Sequence, residues 1–334
     1  MKSEVAPKEA ALFFLQKLIT LRKKDSIMKN TLALTIFLTL SSFIGISQIE
    51  AITENGDVVL LFNDGTWKSA EELNIEKEVY VMPAPEFKGN TREGSETVAH
   101  KISIVSSSSN DITDDEKWFQ ENDLSLPTYE VPNSFRGIKG NVPDKTPLSF
   151  KGEMLIRAMH SEQHNFFVYG RNFSEGRYLI ITDKQMEKVL HVLDFQSYML
   201  SPDYIEEDRM FIDQSIWWVE VEEGVLYISH GHHTYAESSK GMNAYITAIG
   251  LNSYDVLWRT KPLVCNTNNF LVFDDAIVCG YGFTAEKDYM YVLNKNNGKI
   301  AQKILVKTGP DWIIKKEDRL FVRTYNMDYV FKVD

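Results

Sequence analysis

The sequence predicts an all-β fold assembled from repeated four-stranded units, and three observations predict it. Residues 182–191 (TDKQMEKVLH), 249–258 (IGLNSYDVLW) and 293–302 (LNKNNGKIAQ) follow one pattern, an apolar strand end, a polar turn and a second strand. Their turns are separated by 67 and 44 residues, and the smaller interval is the length of one propeller blade. The chain is 12% aromatic, with 19 Phe and 15 Tyr, a composition that favours strands. Together these predict an irregular β-propeller of about four to five four-stranded blades over residues 150–334, with a small N-terminal β-hairpin module and a linker ahead of it.

Residues 1–47 read as an upstream extension followed by a signal peptide. Met28 begins MKNTLALTIFLTLSSFIGIS, in which Lys29 precedes an apolar run ending in the small residues Gly45 and Ser47. Cleavage near Gln48 would place the protein in the periplasm or outside the cell, with no stable membrane span. Residues 48–69 form a small β module, because Asn55-Gly56 and Asp64-Gly65 are turn dipeptides on either side of the apolar residues 58–62. Residues 70–149 carry six prolines and a Ser106–Ser109 run, and read as a charged linker. Within it, residues 114–122 suit a short helix with Thr113 as its cap, and residues 100–105 suit a strand.

From residue 150 onward short strands alternate with turns. Residues 225–229, 244–251 and 256–261 form one unit with residues 269–273, 276–280, 289–294 and 299–306 as the next. The last unit, 312–315, 319–324 and 329–333, ends one strand short. Such a chain closes its final blade by borrowing a strand from the N-terminal side, which removes an open edge. The larger spacing predicts insertions at 217–223 and 232–243.

The repeat resembles the PQQ-like, or quinoprotein-alcohol-dehydrogenase-like, β-propeller unit, whose turn carries an Asp-x-x-Thr-Gly-Lys pattern and whose final strand finishes in Leu-Trp. Residues 294–299 (NKNNGK) and Val256-Leu257-Trp258 match best, and the resemblance covers residues 166–334. It departs at Tyr254, where the turn glycine is expected. The resemblance implies a quinone cofactor only with vicinal cysteines and a calcium-binding Glu, Asn and Asp set; here Cys265 and Cys279 lie 14 positions apart, so no cofactor is expected. The segment around Asp64-Gly65-Thr66-Trp67 resembles a short module of exported proteins of Bacteroidetes-type bacteria.

Removing residues 1–47 leaves 29 basic against 44 acidic residues, a net charge of −15. Such a surface repels phosphate backbones, so nucleic acid is excluded as a general partner. The two cysteines read as buried free thiols, since hairpin geometry sets Cys265 roughly 17 Å of strand beyond the residue facing Cys279.

Propeller topology brings the loops between second and third strands to the same face as the connections between units. Residues 169–177, 230–243, 281–288 and 324–328 therefore share one rim with 265–268 and 307–311. The rim collects Arg171, His230, His232, Tyr281, Arg323, Tyr325, Asn266 and Asp311 as ligand-binding candidates, with His233, Tyr235, Phe283 and Asn268 beside them. Aromatic rings next to polar groups on a concave rim suit a protein, peptide or glycan ligand. The histidines have no certain carboxylate partner, so no metal site is assigned, and His160 and His164 are expected at the surface. No nucleophile motif, phosphate loop or paired carboxylate is visible. The expected function is a non-catalytic binding or assembly scaffold, with a hydrolase or lyase acting on a polysaccharide or peptide as the alternative.

Overall fold

The computed structural model describes residues 49–52, 58–61, 67–69 and 73–334, apart from 112–113, 134–136, 138, 172–174, 199–200, 209–211, 233–235 and 284–285. The expected signal peptide, Thr113, His233 and Tyr235 lie outside the described residues. The chain divides into two units, residues 1–71 and 72–334. In the first, β1 (Ile49–Ile52), β2 (Val58–Leu61) and β3 (Trp67–Ser69) form an antiparallel meander, with Ile49 opposite Leu61 and Leu61 opposite Trp67.

The described residues of the second unit form an irregular β-propeller with four blades. Short strands enter it from the N-terminal side, namely β4 (Tyr80–Val81), β5 (Ile102–Ser109), β6 (Thr128–Tyr129) and β7 (Ser149–Phe150). The first blade contains β8 (Glu153–His160), β9 (His164–Gly170), β10 (Tyr178–Asp183) and β11 (Val189–Asp194). The second contains β12 (Ser215–Glu222), β13 (Val225–Gly231), β14 (Tyr245–Gly250) and β15 (Val256–Arg259). The third contains β16 (Leu271–Val272), β17 (Ala276–Tyr281), β18 (Asp288–Asn294) and β19 (Ile300–Val306), and the fourth β20 (Pro310–Lys316), β21 (Arg319–Thr324) and β22 (Met327–Val333). As the truncated last unit predicts, β5 supplies the missing outer strand, pairing antiparallel to β22 from Ser109 opposite Met327 to Ile102 opposite Val333.

The repeated turns prove to be bulged hairpins. A register shift falls between Ile181 and Thr182, between Ala248 and Ile249, and between Val292 and Leu293, at the head of each repeat. A bulge inserts one unpaired residue and sharpens the local twist, so the same kink recurs at the outer hairpin of three blades. Gly298 is left-handed at φ 73°. A Cβ there would lie 2.5 Å from the Trp258 ring, and the Trp258 indole N–H donates to the Lys295 carbonyl at 3.1 Å. The glycine turn of one blade and the Leu-Trp ending of the preceding blade are therefore two halves of one contact. Tyr254, which replaces the glycine in the second blade, is also left-handed at φ 59°. Its ring stacks on Tyr80 with centroids 4.4 Å apart, and its hydroxyl meets His191 Nδ1 at 2.9 Å, contacts that offset a backbone cost of roughly 1–2 kcal/mol.

One expected insertion is corrected. Residues 217–222 lie in β12, where Trp217 is bulged and 218–222 pair with β13; the longer spacing comes from the connection 195–214 together with the expected loop after β13. The alternation within β12 is hidden by Trp217-Trp218 at its own bulge.

The Pro-rich segment follows the outer strand of every blade in turn. β4 pairs parallel to β11, and Met82 N–H donates to the Asp194 carbonyl at 2.8 Å. Asn90 exchanges backbone hydrogen bonds with Arg259 of β15, both 3.0 Å. Arg92 donates from Nε to the Leu257 carbonyl at 2.8 Å, and Asn297 donates to the Ser95 carbonyl at 2.8 Å. Gln302 of β19 then pairs both ways with the Ile102 backbone, at 3.0 and 2.9 Å. After β5 comes α1 (Asp115–Glu121), capped by Asp114, whose carboxylate accepts from Lys117 N–H at 2.8 Å. β6 next pairs with β8. Prolines suit this path because they cannot serve as inner strands yet tolerate edge positions.

Two apolar clusters fill the blades, one around Trp217, Trp218, Trp258 and Phe270, the other around Val278, Ile313, Val322 and Phe331. Cys265 and Cys279 are fully buried free thiols. The loop before β16 folds back, so the Cys279 thiol donates at 3.6 Å to the carbonyl of Val264, next to Cys265 in sequence, rather than lying a strand's length away. His160 and His164 end β8 and begin β9, half-buried, against Tyr129 and Phe166 respectively.

Candidate functional site at the convergence of three blades

The inner strands share a deformation that builds the site. In β8, β12 and β20 one residue is skipped by the partner strand: Ile156, Trp217 and Asp311. A bulge re-aims its side chain, and two of these three residues, Trp217 and Asp311, line a cavity of about 230 Å³. Its other walls include His232 and Asn243 from the second blade, Leu263, Asn266 and Asn268 from the connection to the third, and Tyr281, Phe283 and Glu286 from the β17–β18 loop.

Asparagine side chains frame this cavity by standing in for missing strands. Asn243 accepts from His232 N–H at 2.8 Å and donates to the His232 carbonyl at 2.9 Å. Asn266 does the same for Gly282, accepting at 3.1 Å and donating at 2.8 Å. Asn269 does so for Ile313 of the fourth blade, at 2.9 and 2.6 Å. In each case one amide satisfies a backbone donor and acceptor, of a loop residue in the first two and of the sheet-edge strand β20 in the third. Gly282 packs backbone to backbone on Gly309, and a Cβ at Gly282 would meet the Gly309 Cα at 2.2 Å.

With the clamp amides occupied, the cavity lining includes aromatic and acidic groups beside His232, Ser239, Leu263 and Asn268. The Tyr281 hydroxyl donates to Glu286, and burial raises the Tyr281 hydroxyl far above its usual range. Phe283 N–H donates to Asp288 at 3.0 Å. The Asp311 carboxylate has no hydrogen bond or ion pair among the described residues. It is reached by solvent, yet the crowding of surrounding protein pushes it up to about 6, with Asp115 adding to the rise and Arg323 opposing it.

Four of the eight candidates, His232, Tyr281, Asn266 and Asp311, are brought together here, with Phe283 and Asn268. The other four are elsewhere. His230 is buried between Tyr198 and Tyr245, with Nε2 2.8 Å from the Thr247 hydroxyl. Burial, reinforced by the Arg259 charge, holds it well below the usual histidine range, so it is a neutral interior residue. Arg259 itself lies 3.5 Å from the Tyr245 ring centre and donates to the Pro85 and Glu86 carbonyls. Arg323 is 3% exposed. It pairs with Asp115, lies 3.4 Å from Asp328 and donates to the Asp111 carbonyl at 2.7 Å, which consumes the guanidinium in holding α1. Arg171 pairs with Glu175 at 2.9 Å. Tyr325 is 62% exposed, outside the cavity walls.

Sequence reasoning missed Trp217, Asn243, Leu263 and Glu286. The signal for Trp217 was present: Leu155-Ile156-Arg157, Ile216-Trp217-Trp218 and Pro310-Asp311-Trp312 each break strand alternation at the same place.

A shallower hollow of about 590 Å³ lies at the opposite strand ends, between the β8–β9, β12–β13 and β14–β15 turns. Its walls are Ser161, Glu162, Glu223, Asn252 and neighbouring turn residues, without an aromatic group other than His164 and His191. Among the described residues no cluster of three His, Cys, Asp or Glu could hold a metal ion, and no helix is long and apolar enough to cross a membrane.

No family model matches the chain, and no curated protein matches it. Among solved structures it is similar to BamB from Moraxella catarrhalis, at 10% identity over 85% of this chain and 69% of that one, with a TM-score of 0.38. It is similar also to Saccharomyces cerevisiae Sqt1, at 12% identity over 92% and 74%, TM-score 0.37. The computationally designed Ika4 protein shares 8% identity over 56% of this chain and 96% of that one, TM-score 0.35.

Proposed function

We propose that this chain is an exported, non-catalytic binding or assembly scaffold of the PQQ-like repeat type, lacking the quinone ligands, which holds a peptide, glycan or protein partner at the cavity between the second, third and fourth blades. The observation that carries the reading is the unpaired Asp311 carboxylate set beside the rings of Trp217, Tyr281 and Phe283 in one concavity. Rings supply contact area at little entropic cost, and a few placed polar groups supply orientation. The rigid clamps around the cavity keep that arrangement ordered before a ligand arrives, which reduces the entropy lost on binding.

The alternative is a hydrolase or lyase at the same place. What favours it is the Asp311 carboxyl raised to about 6, a range suited to a general acid near neutral pH. Peptide and glycan arrays probed with wild-type and Phe283→Ala protein test the scaffold reading. Retention by wild type, lost in the variant with its circular dichroism unchanged, is the expected result. Identical array patterns would remove the cavity from consideration, and turnover of an array substrate that disappears with Asp311→Asn would establish the enzyme instead.

A further inference from the structure

The cavity combines two features that select a charge sign. Its rings are Trp217, Tyr281 and Phe283, its carboxylates are Glu286 and Asp311, and no Lys or Arg is among its lining residues. The nearest cation acting on Asp311, Arg323, is already committed to Asp115 and Asp328. Aromatic faces attract cations through the ring quadrupole, most strongly where water is partly excluded. A volume of about 230 Å³ falls below the range of roughly 300–1,000 Å³ typical of whole drug-sized ligands, and suits a single long side chain. The whole chain carries a net charge of −11, which steers cationic partners toward it.

We infer that the cavity receives the cationic end of a lysine or arginine side chain carried by a partner polypeptide, with the rings against its aliphatic stem and the two carboxylates against its charge. This rests on the proposed binding role of the same cavity and adds its ligand class. The groups facing Asp311 are Asp115 and Arg323 from the α1 and β21 side and Glu286 and His232 across the cavity. Ionisation of Asp311 near pH 6 makes capture of a cation stronger above that pH and weaker below it.

The test is titration of the full chain with the acetylated and amidated peptide Gly-Gly-Lys-Gly-Gly, its arginine counterpart and its Nε-acetyllysine counterpart, following the Trp217 indole resonance assigned with Trp217→Phe. Chitotriose serves as a neutral glycan probe. The lysine and arginine peptides are expected to shift the resonance, the acetylated peptide to bind at least tenfold more weakly, and Asp311→Asn, which preserves side-chain shape, to weaken the lysine peptide about tenfold. Equal affinity for the acetylated peptide, or full affinity in Asp311→Asn, overturns the inference. A shift with chitotriose alone overturns the ligand class while leaving the binding role standing. No shift with any probe overturns both.

Discussion

The second and third blades place the same loop at the same end of the same strand, and the two loops are put to different uses. His230-Gly231-His232 follows β13, and Tyr281-Gly282-Phe283 follows β17. Each loop is pinned by an asparagine, Asn243 in one and Asn266 in the other, through a paired donation and acceptance with one backbone residue. Beyond that the resemblance stops. His230 turns inward beneath Arg259 and is neutral, whereas Tyr281, Phe283 and Glu286 form a cavity wall. An invariant clamp with a variable first ring lets His230 fill the interior while Tyr281 faces the cavity, to which the second-blade loop contributes only further along, through His232 and Asn243. A chemically suggestive residue in a repeated loop therefore has to be judged by where its ring points.

The strongest way to break the comparison is to disturb the packing of the third loop on Gly309, since the equally crowded Gly231 of the second loop packs on Asn243, Trp217 and Ala244 instead. Gly282→Ala forces a methyl into Gly309, and a loss of about 3–4 kcal/mol is expected by urea denaturation, within the range of backbone-driven overpacking. A variant as stable as wild type would show that Gly282 and Gly309 do not touch. Next comes the shared clamp. Asn266→Ala and Asn243→Ala each strip a backbone N–H and C=O of their partner, and each is expected to cost about 2 kcal/mol. A denaturation midpoint lowered in one variant alone would show that the clamps are not equivalent.

His230→Gln sharpens the contrast at smaller cost. Glutamine keeps a hydrogen-bonding group near Thr247 but loses the packing against Tyr198 and Tyr245, an expected loss of about 1–2 kcal/mol. Because His230 is neutral in the fold and binds its proton only once unfolded, it opposes stability as pH falls below its ordinary value near 6.5. The acid limb of the stability profile should therefore shift when it is replaced.

Asp311→Asn has the smallest expected effect on folding. The folded carboxyl is raised to about 6, so its contribution to stability is present below the unfolded value and lost as pH rises through 6. Solvent reaches the group, which limits the effect to about 1 kcal/mol or less. The variant is expected to match or slightly exceed wild type at pH 7.5 and to lose that advantage at pH 4. A variant less stable than wild type at pH 7.5 would reveal a partner for Asp311.

The repeat was readable because its meaning is local. The polar turn, the glycine and the Leu-Trp ending lie within one hairpin and its neighbour; the truncated last unit pointed to a strand from the N-terminal side, and the strand read separately at residues 100–105 is found at Ile102–Ser109 and fills that place. The clamps were unreadable because asparagine is an ordinary loop residue until the strand it completes is in place. Arg323, taken from the sequence as a ligand-binding candidate, is instead paired, because an unpaired buried charge is costly. Its main partner, Asp115, is 208 positions away on a helix, a distance at which sequence offers no pairing rule. The Pro-rich segment read as a linker from composition alone, because most of its contacts reach blades far along the chain, from Met82 with Asp194 to Ile102 with Val333, while β6 pairs with a strand close by.

The central claim is that Tyr281 and Phe283 of the third-blade loop face the ligand, whereas His230, the counterpart of Tyr281 in the second-blade loop, is interior filler. The most direct test is the lysine-peptide affinity of Phe283→Ala beside that of His230→Gln, both measured under conditions where each is fully folded. The account predicts at least a tenfold loss for Phe283→Ala and an affinity within twofold of wild type for His230→Gln. The reverse order, or an equal loss in both, would contradict it.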